Sequence, residues 1–138
     1  TMRIIKFLPE HIKQIALQPH QESAEIYNHD YSGLVNDAWT LLDNNNSPVF
    51  IGGFYQIWNN RQVCWCLLSY DSGKHFTRII RAVKKELANR VGRIECYVSP
   101  EFTQGHRSAK LLGFTCEAEY MSGFHANGEA AAMYSIVI

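Results

Sequence analysis

The chain has 138 residues, 46 % of them hydrophobic and 19 % charged, including three Trp, seven Tyr and seven Phe. A chain of this length buries roughly 68–70 % of its unfolded surface in a single domain, and its apolar content excludes intrinsic disorder. Thirteen basic and thirteen acidic residues cancel, which argues against a dedicated nucleic-acid binder. The longest apolar runs, Val49 to Tyr55 and Val63 to Leu68, fall well short of the about 18 residues a membrane-spanning helix needs. The opening Thr1-Met2-Arg3 lacks the charged and apolar regions of a secretion signal. One domain over 2–138, with no membrane segment and a cytoplasmic setting, is the expectation.

Met2 to Leu8 reads as a strand, and Pro9-Glu10 opens a helix carried by Ile12, Ile15 and Ala16 and ended by Pro19. The polar stretch from His20 to Gly33 reads as a second short helix followed by a loop. Ala38 to Leu42, Val49 to Trp58 and Val63 to Tyr70 read as strands of an antiparallel meander. Its turns lie at 43–48 and at Asn59-Asn60, and Gly52-Gly53 interrupts its second strand. After Gly73 the apolar residues Phe76, Ile79, Ile80, Val83 and Leu87 recur at helical spacing. Gly92 ends that helix and Arg93 to Val98 forms a strand, which must run parallel to 63–70 because a helix crosses between them. Ser99-Pro100-Glu101 resembles a helix start with a capping hydroxyl, and the helix runs to Gly113. Phe114 to Tyr120 and Ala131 to Ile138 pair as a final hairpin across 122–128. The result is an α/β fold with a mixed, mostly antiparallel sheet and one parallel βαβ unit.

Lys74, Arg78, Arg81 and Lys85 share one face of the long helix, where they read as a solvated face or a docking face for anions. Cys64, Cys66, Cys96 and Cys116 lack the paired spacing of a zinc site, and the six histidines lack any metal-binding spacing. Cys64 and Cys66 fall on one side of their strand, and packing against Cys96 is expected of both. Trp39, Trp58 and Trp65 read as core or edge aromatics.

This element order, with Ala109-Lys110-Leu111-Leu112-Gly113-Phe114 closing a helix, Ile51-Gly52-Gly53-Phe54 in a strand and Ser72-Gly73-Lys74 before a helix, resembles the GNAT superfamily of acyl-CoA-dependent N-acetyltransferases. The small size and altered loop also resemble GNAT-like bacteriophage proteins. The resemblance implies acetyl-CoA as co-substrate and an unidentified amine as acceptor. It implies that Ser72, Gly73, Lys74, His75, Thr77 and Arg78 hold the pyrophosphate and 3′-phosphate at a helix N-terminus, where free N–H groups and the helix dipole favour anions. It also implies that main-chain amides near Leu67 and Leu68 polarise the thioester carbonyl.

The chain departs from the family's pattern at several positions. His75 and Thr77 stand where the family's loop has glycines, Phe102 where its helix has an asparagine, and Ala109 where it has a proton-donating tyrosine. Glu95 and Tyr97 share a strand face and, with Ser108 and neighbouring His106, are the candidate replacements. A carboxylate beside an apolar crevice would have a raised pKa and serve as base, whereas an exposed polar pair is the plainer reading of the same two residues. Ala109 is expected to face the crevice. The alternative function is a non-catalytic interaction module on the same fold.

Overall fold

Strands, closed by turns at Asn, Gly and Pro, hold more residues than the helices in this computed structural model, which describes residues 2–19, 21 and 30–138. In chain order the elements are β1 (Arg3–Lys6), α1 (His11–Gln14), a 3-10 turn (Ser32–Asp37), β2 (Ala38–Leu42), β3 (Pro48–Trp58) and β4 (Arg61–Leu68). A second 3-10 turn (Ser72–His75) follows, then α2 (Phe76–Leu87), β5 (Arg93–Val98), α3 (Thr103–Leu111), β6 (Thr115–Met121) and β7 (Ala131–Val137). The seven strands form one sheet in the order β1-β2-β3-β4-β5-β7-β6. β4 and β5 are parallel, and β1–β2, β2–β3, β5–β7 and β6–β7 are antiparallel. The α/β class and the parallel βαβ unit are as the sequence predicts. No helix among the described residues is long and apolar enough to cross a membrane.

The chain divides into two compact units, Thr1–Tyr55 with Trp65–Ile79, and Gln56–Cys64 with Ile80–Ile138. The first is organised on Phe7, Ile12, Ile15, Leu17, Tyr31, Ala38, Ile51 and Leu67, with Leu34, Val35 and Trp65 packed against them. Phe7 meets Tyr31 and Trp65 edge to face, the geometry that ring quadrupoles favour. Beside this core the buried His11 ring takes the Leu8 N–H on Nδ1 at 3.1 Å and lies 2.8 Å from the Thr40 hydroxyl. Nδ1 therefore accepts, and the neutral ring carries its proton on Nε2. Burial holds this pKa below the ordinary 6.5. The unfolded chain thus binds a proton that the folded one resists, so this contribution to stability is fully present above pH 6.5 and is lost as the pH falls below it. Thermal melts between pH 7.5 and 5 are expected to show that loss, and His11→Leu to flatten it.

In the second unit Ile94, Ala131, Ala132 and Tyr134 are buried along β5 and β7. The end of α3 is set by Gly113, which has φ +96. Its N–H donates to the Lys110 carbonyl, and Phe114 N–H donates to the Ala109 carbonyl. These are the two bonds of a Schellman cap, which requires a left-handed residue at this position. Gly113→Val is expected to cost about 1 kcal/mol or more, read as a lower denaturant midpoint at unchanged slope.

Four local expectations are corrected. Ser99 does not cap α3. Its hydroxyl donates to the Glu101 carboxylate, and the helix begins at Thr103 because Phe102, with φ −84 and ψ 81, breaks helical continuity. α1 ends at Gln14, ahead of Pro19, because Ile15 is extended and Leu17 bridges to Ser69. Cys66 is exposed, since the β4–β5 ladder ends at Val63, whereas Cys64 does meet the Cys96 thiol, and that hydrogen bond with burial holds its pKa well above the usual range. Trp58 is exposed, its ring lying 6.0 Å from the Arg61 guanidinium carbon. The helix expected within His20–Gly33 falls largely outside the described residues.

Candidate functional site

Arg61, Gln62 and Val63 of β4 pair with Arg93, Ile94 and Glu95 of β5, and there the ladder stops. Asn60 offers its carbonyl to Arg93 N–H, while Ser69 N–H donates the other way, to Val49 of β3. Because main-chain groups alternate along a strand, the even-numbered residues Cys66 and Leu68 turn theirs to the side of β4 away from β3. Side chain and main chain from the segment after α1 hold these groups. Leu68 N–H donates to Gln21 Oε1 at 2.7 Å, and Gln21 Nε2 donates to the Cys66 carbonyl at 2.9 Å. Gln18 N–H donates to the Leu68 carbonyl and Tyr70 N–H to the Ala16 carbonyl. The Leu68 amide is thus engaged by Gln21, and the Leu67 side chain is buried in the core.

The same unit carries the loop ahead of α2. Ser72 is buried, and its hydroxyl oxygen accepts from Gln18 Nε2 at 3.1 Å, which leaves the buried Gln18 Oε1 without a hydrogen-bond partner among the described residues. Ser72 N–H and Lys74 N–H close 3-10 turns on the Ser69 and Asp71 carbonyls. A Cβ on Gly73 would meet nothing within 4 Å, so the loop is open at this residue. Lys74, Thr77 and Arg78 are exposed and His75 is half-buried. The Asp71 carboxylate accepts from the Ser69 hydroxyl in this loop.

In the second unit, the strand alternation that sets Glu95 beside Tyr97 also brings two arginines to the carboxylate. Glu95 is only 3 % exposed. It receives Arg61 Nε and Nη2, both at 2.9 Å, Arg93 Nε at 2.6 Å and the Tyr97 hydroxyl at 2.8 Å. Arg93 also pairs with Glu117, which takes the Ser135 hydroxyl. The Arg61 hydrogen bonds, joined by those of Arg93 and Tyr97, outweigh burial and hold the Glu95 pKa at about 2. The upward shift expected of a general base is therefore reversed, and the exposed-pair reading fails as well. Burial, with the hydrogen bond to Glu95 second, keeps the Tyr97 phenol above its usual range. Arg93, two residues before Glu95 on the same face, was a signal available in the sequence. Arg61, 34 residues away, was not.

Ser108 is bound to its own helix, its hydroxyl donating to the Gln104 carbonyl at 2.8 Å. His106 Nε2 lies 3.0 Å from the Pro100 carbonyl, and Nδ1 lies 2.6 Å from the Tyr134 hydroxyl. A carbonyl only accepts, so Nε2 carries the proton and Nδ1 takes that of Tyr134. Ala109 is buried, against the expectation that it faces a crevice. One turn earlier on the same helix, a Cβ on Gly105 would stand 2.7 Å from Val98 of β5, so this face packs on the strand. Ala109→Tyr is therefore expected to overfill the packing and cost about 1–3 kcal/mol, seen as a lower thermal midpoint with no gain in turnover.

Among the described residues no group of three or more His, Cys, Asp or Glu is placed to hold a metal ion. No family model matches the chain, and no curated protein matches it. Solved structures do. The chain is similar to a GNAT-family acetyltransferase from Bacillus anthracis at 17 % identity and TM-score 0.63, covering 99 % of this chain and 94 % of that one. It is similar to ribosomal-protein-S5-alanine acetyltransferase from Vibrio fischeri at 12 % and 0.66, covering 99 % and 92 %. It is also similar to Ard1 from Thermoplasma volcanium at 11 % and 0.72, covering 99 % and 97 %. The fold is that of the GNAT acetyltransferases. The narrower likeness to phage proteins finds no support in these matches.

Proposed function

We propose that the protein is an acyl-CoA-dependent N-acyltransferase that passes an acetyl group from acetyl-CoA to an amine. The observation that carries this reading is the strand edge at Cys66–Leu68. Its Cys66 carbonyl and Leu68 N–H, held by the Gln21 carboxamide, lie in strand geometry in the same unit as an open loop at a helix N-terminus. An extended arm bearing amides fits the edge, and a phosphate fits the loop with Ser72, Gly73, Lys74, His75, Thr77 and Arg78 around it. The exposed Lys74 and Arg78 supply the charge for the nucleotide phosphates.

In this reading the amine nitrogen attacks the thioester carbonyl directly. The C–N bond forms, the C–S bond breaks, and the electron pair leaves on sulfur. Glu95, ionised and bound to two guanidiniums, does not take the amine's proton, and Tyr97 holds its own. Both act as positioning residues for β5, and Ser108 completes its helix. The proton passes to water, so kcat/KM rises with pH until the acceptor amine is fully neutral. A cytoplasmic setting agrees with four cysteines in thiol form. The second reading, a binding module without catalysis, is favoured by the buried Ala109 and the helix-bound Ser108. Calorimetric titration with acetyl-CoA, followed by thiol release against a panel of primary amines, tests both. Binding with turnover supports the transferase, binding alone the module, and no binding overturns the acyl-CoA reading.

A further inference from the structure

In a parallel pair every second residue of a strand faces its neighbour, giving its N–H to one carbonyl there and taking the N–H two positions further along. Cys66 C=O and Leu68 N–H are such a pair of groups, and the Gln21 carboxamide fills both, with Nε2 donating at 2.9 Å and Oε1 accepting at 2.7 Å. A side chain here does what one residue of a parallel neighbour strand would do. The carboxamide is held in place from behind, because Gln21 N–H donates to the Gln18 carbonyl while Gln18 N–H donates to the Leu68 carbonyl. The β-alanyl unit of a pantetheine arm carries an N–H and a C=O separated by two methylenes, one more carbon than an amino-acid residue, and so presents the same donor and acceptor.

We propose that Gln21 is an internal competitor for the acyl-CoA arm: its carboxamide occupies the Cys66–Leu68 edge in the empty protein and is displaced when the β-alanyl unit of acyl-CoA docks there. This rests on the acyl-CoA reading above and makes Gln21 a determinant of affinity. Displacement exchanges two hydrogen bonds for two, so the edge groups stay paired throughout and neither is left bare. Removing the competitor spares the ligand that exchange.

The test is titration of the wild type, Gln21→Ala and Gln21→Met with acetyl-CoA, alongside hydrogen exchange of the Leu68 amide. Met keeps the length and apolar stem of Gln without its amide, and carries the test should the Ala variant fold poorly. Both variants are expected to bind acetyl-CoA roughly tenfold more tightly, the scale of two neutral hydrogen bonds. Without ligand, Leu68 exchange should be slow in the wild type and fast in the variants, and acetyl-CoA should slow it again in the variants. Equal or weaker binding by both variants, with the wild type still binding, overturns the competitor and leaves the acyl-CoA reading standing. Binding by neither the wild type nor the variants overturns both, and Leu68 exchange that acetyl-CoA leaves fast in the variants removes the arm from this edge.

Discussion

Gly53→Ala is expected to lower the melting temperature by about 10 °C or more, since overpacking of a rigid site costs up to about 3 kcal/mol or beyond and each kcal/mol moves a domain of this size by roughly 3–4 °C. Gly53 is opposite Ala38 in the β2–β3 register. A Cβ built there would lie 2.3 Å from the Asp37 carbonyl oxygen and 2.5 Å from the Ala38 Cβ. These are main-chain and near-main-chain atoms, which cannot rotate out of the way, so β2 or β3 must move. Gly52 differs in kind, because its nearest neighbour is the ring tip of Phe50 at 2.5 Å, which a rotation of that side chain relieves. Gly73→Ala, with open space around the new methyl, is the control and should melt like the wild type. A Gly53→Ala midpoint within 2 °C of the wild type would mean that β2 and β3 approach less closely than described.

The double glycine shows how far the sequence could be read. Its place in a strand was visible from the flanking Val49, Phe50, Ile51 and Phe54, but its reason, the close approach of β2, depends on a partner strand. Elements with strong internal periodicity were legible in the same way. The stripe from Phe76 to Leu87 defines α2, and Gly113 ends α3 by a cap that only a residue with positive φ satisfies. The start of α3 was misplaced because Ser99-Pro100-Glu101 satisfies the local rules for a cap, while the decisive feature is the backbone turn at Phe102, which no side chain announces.

The candidate site was legible on one side only. Main-chain groups at Leu68 and the loop from Ser72 to Arg78 could be placed once β4 and α2 were recognised. What already holds Leu68 could not, since Gln18 and Gln21 sit in a polar stretch without periodicity and reach β4 across 45 residues or more of chain. The same holds for Glu95, whose chemistry was read from its own strand. A carboxylate's pKa depends on which charges the fold brings to it, and here the fold brings Arg61 from β4.

Glu95→Gln is therefore expected to act on stability first. The substitution keeps the shape of the side chain, removes the charge that Arg61 and Arg93 share, and replaces one acceptor oxygen with an NH2 that faces guanidinium donors. Removing one member of a buried ion pair costs about 3–5 kcal/mol. Because the two guanidiniums keep about a third of their side-chain surface in water, the loss here should sit near about 2–3 kcal/mol, seen as a lower urea midpoint at neutral pH. The dependence on pH gives a second reading of the same network. Glu95 has a pKa of about 2 in the folded protein against an ordinary 4.5, so the unfolded chain takes up this proton first. The stability it contributes is complete above pH 4.5 and drains away as the pH falls from 4.5 toward 2. The gap between wild type and Glu95→Gln should therefore be widest at neutral pH and close across that acid window. If the variant unfolds at the wild-type midpoint at pH 7, or if the gap stays constant down to pH 2.5, the two arginines do not hold Glu95 as an ionised partner. A general base at this position would then be open again.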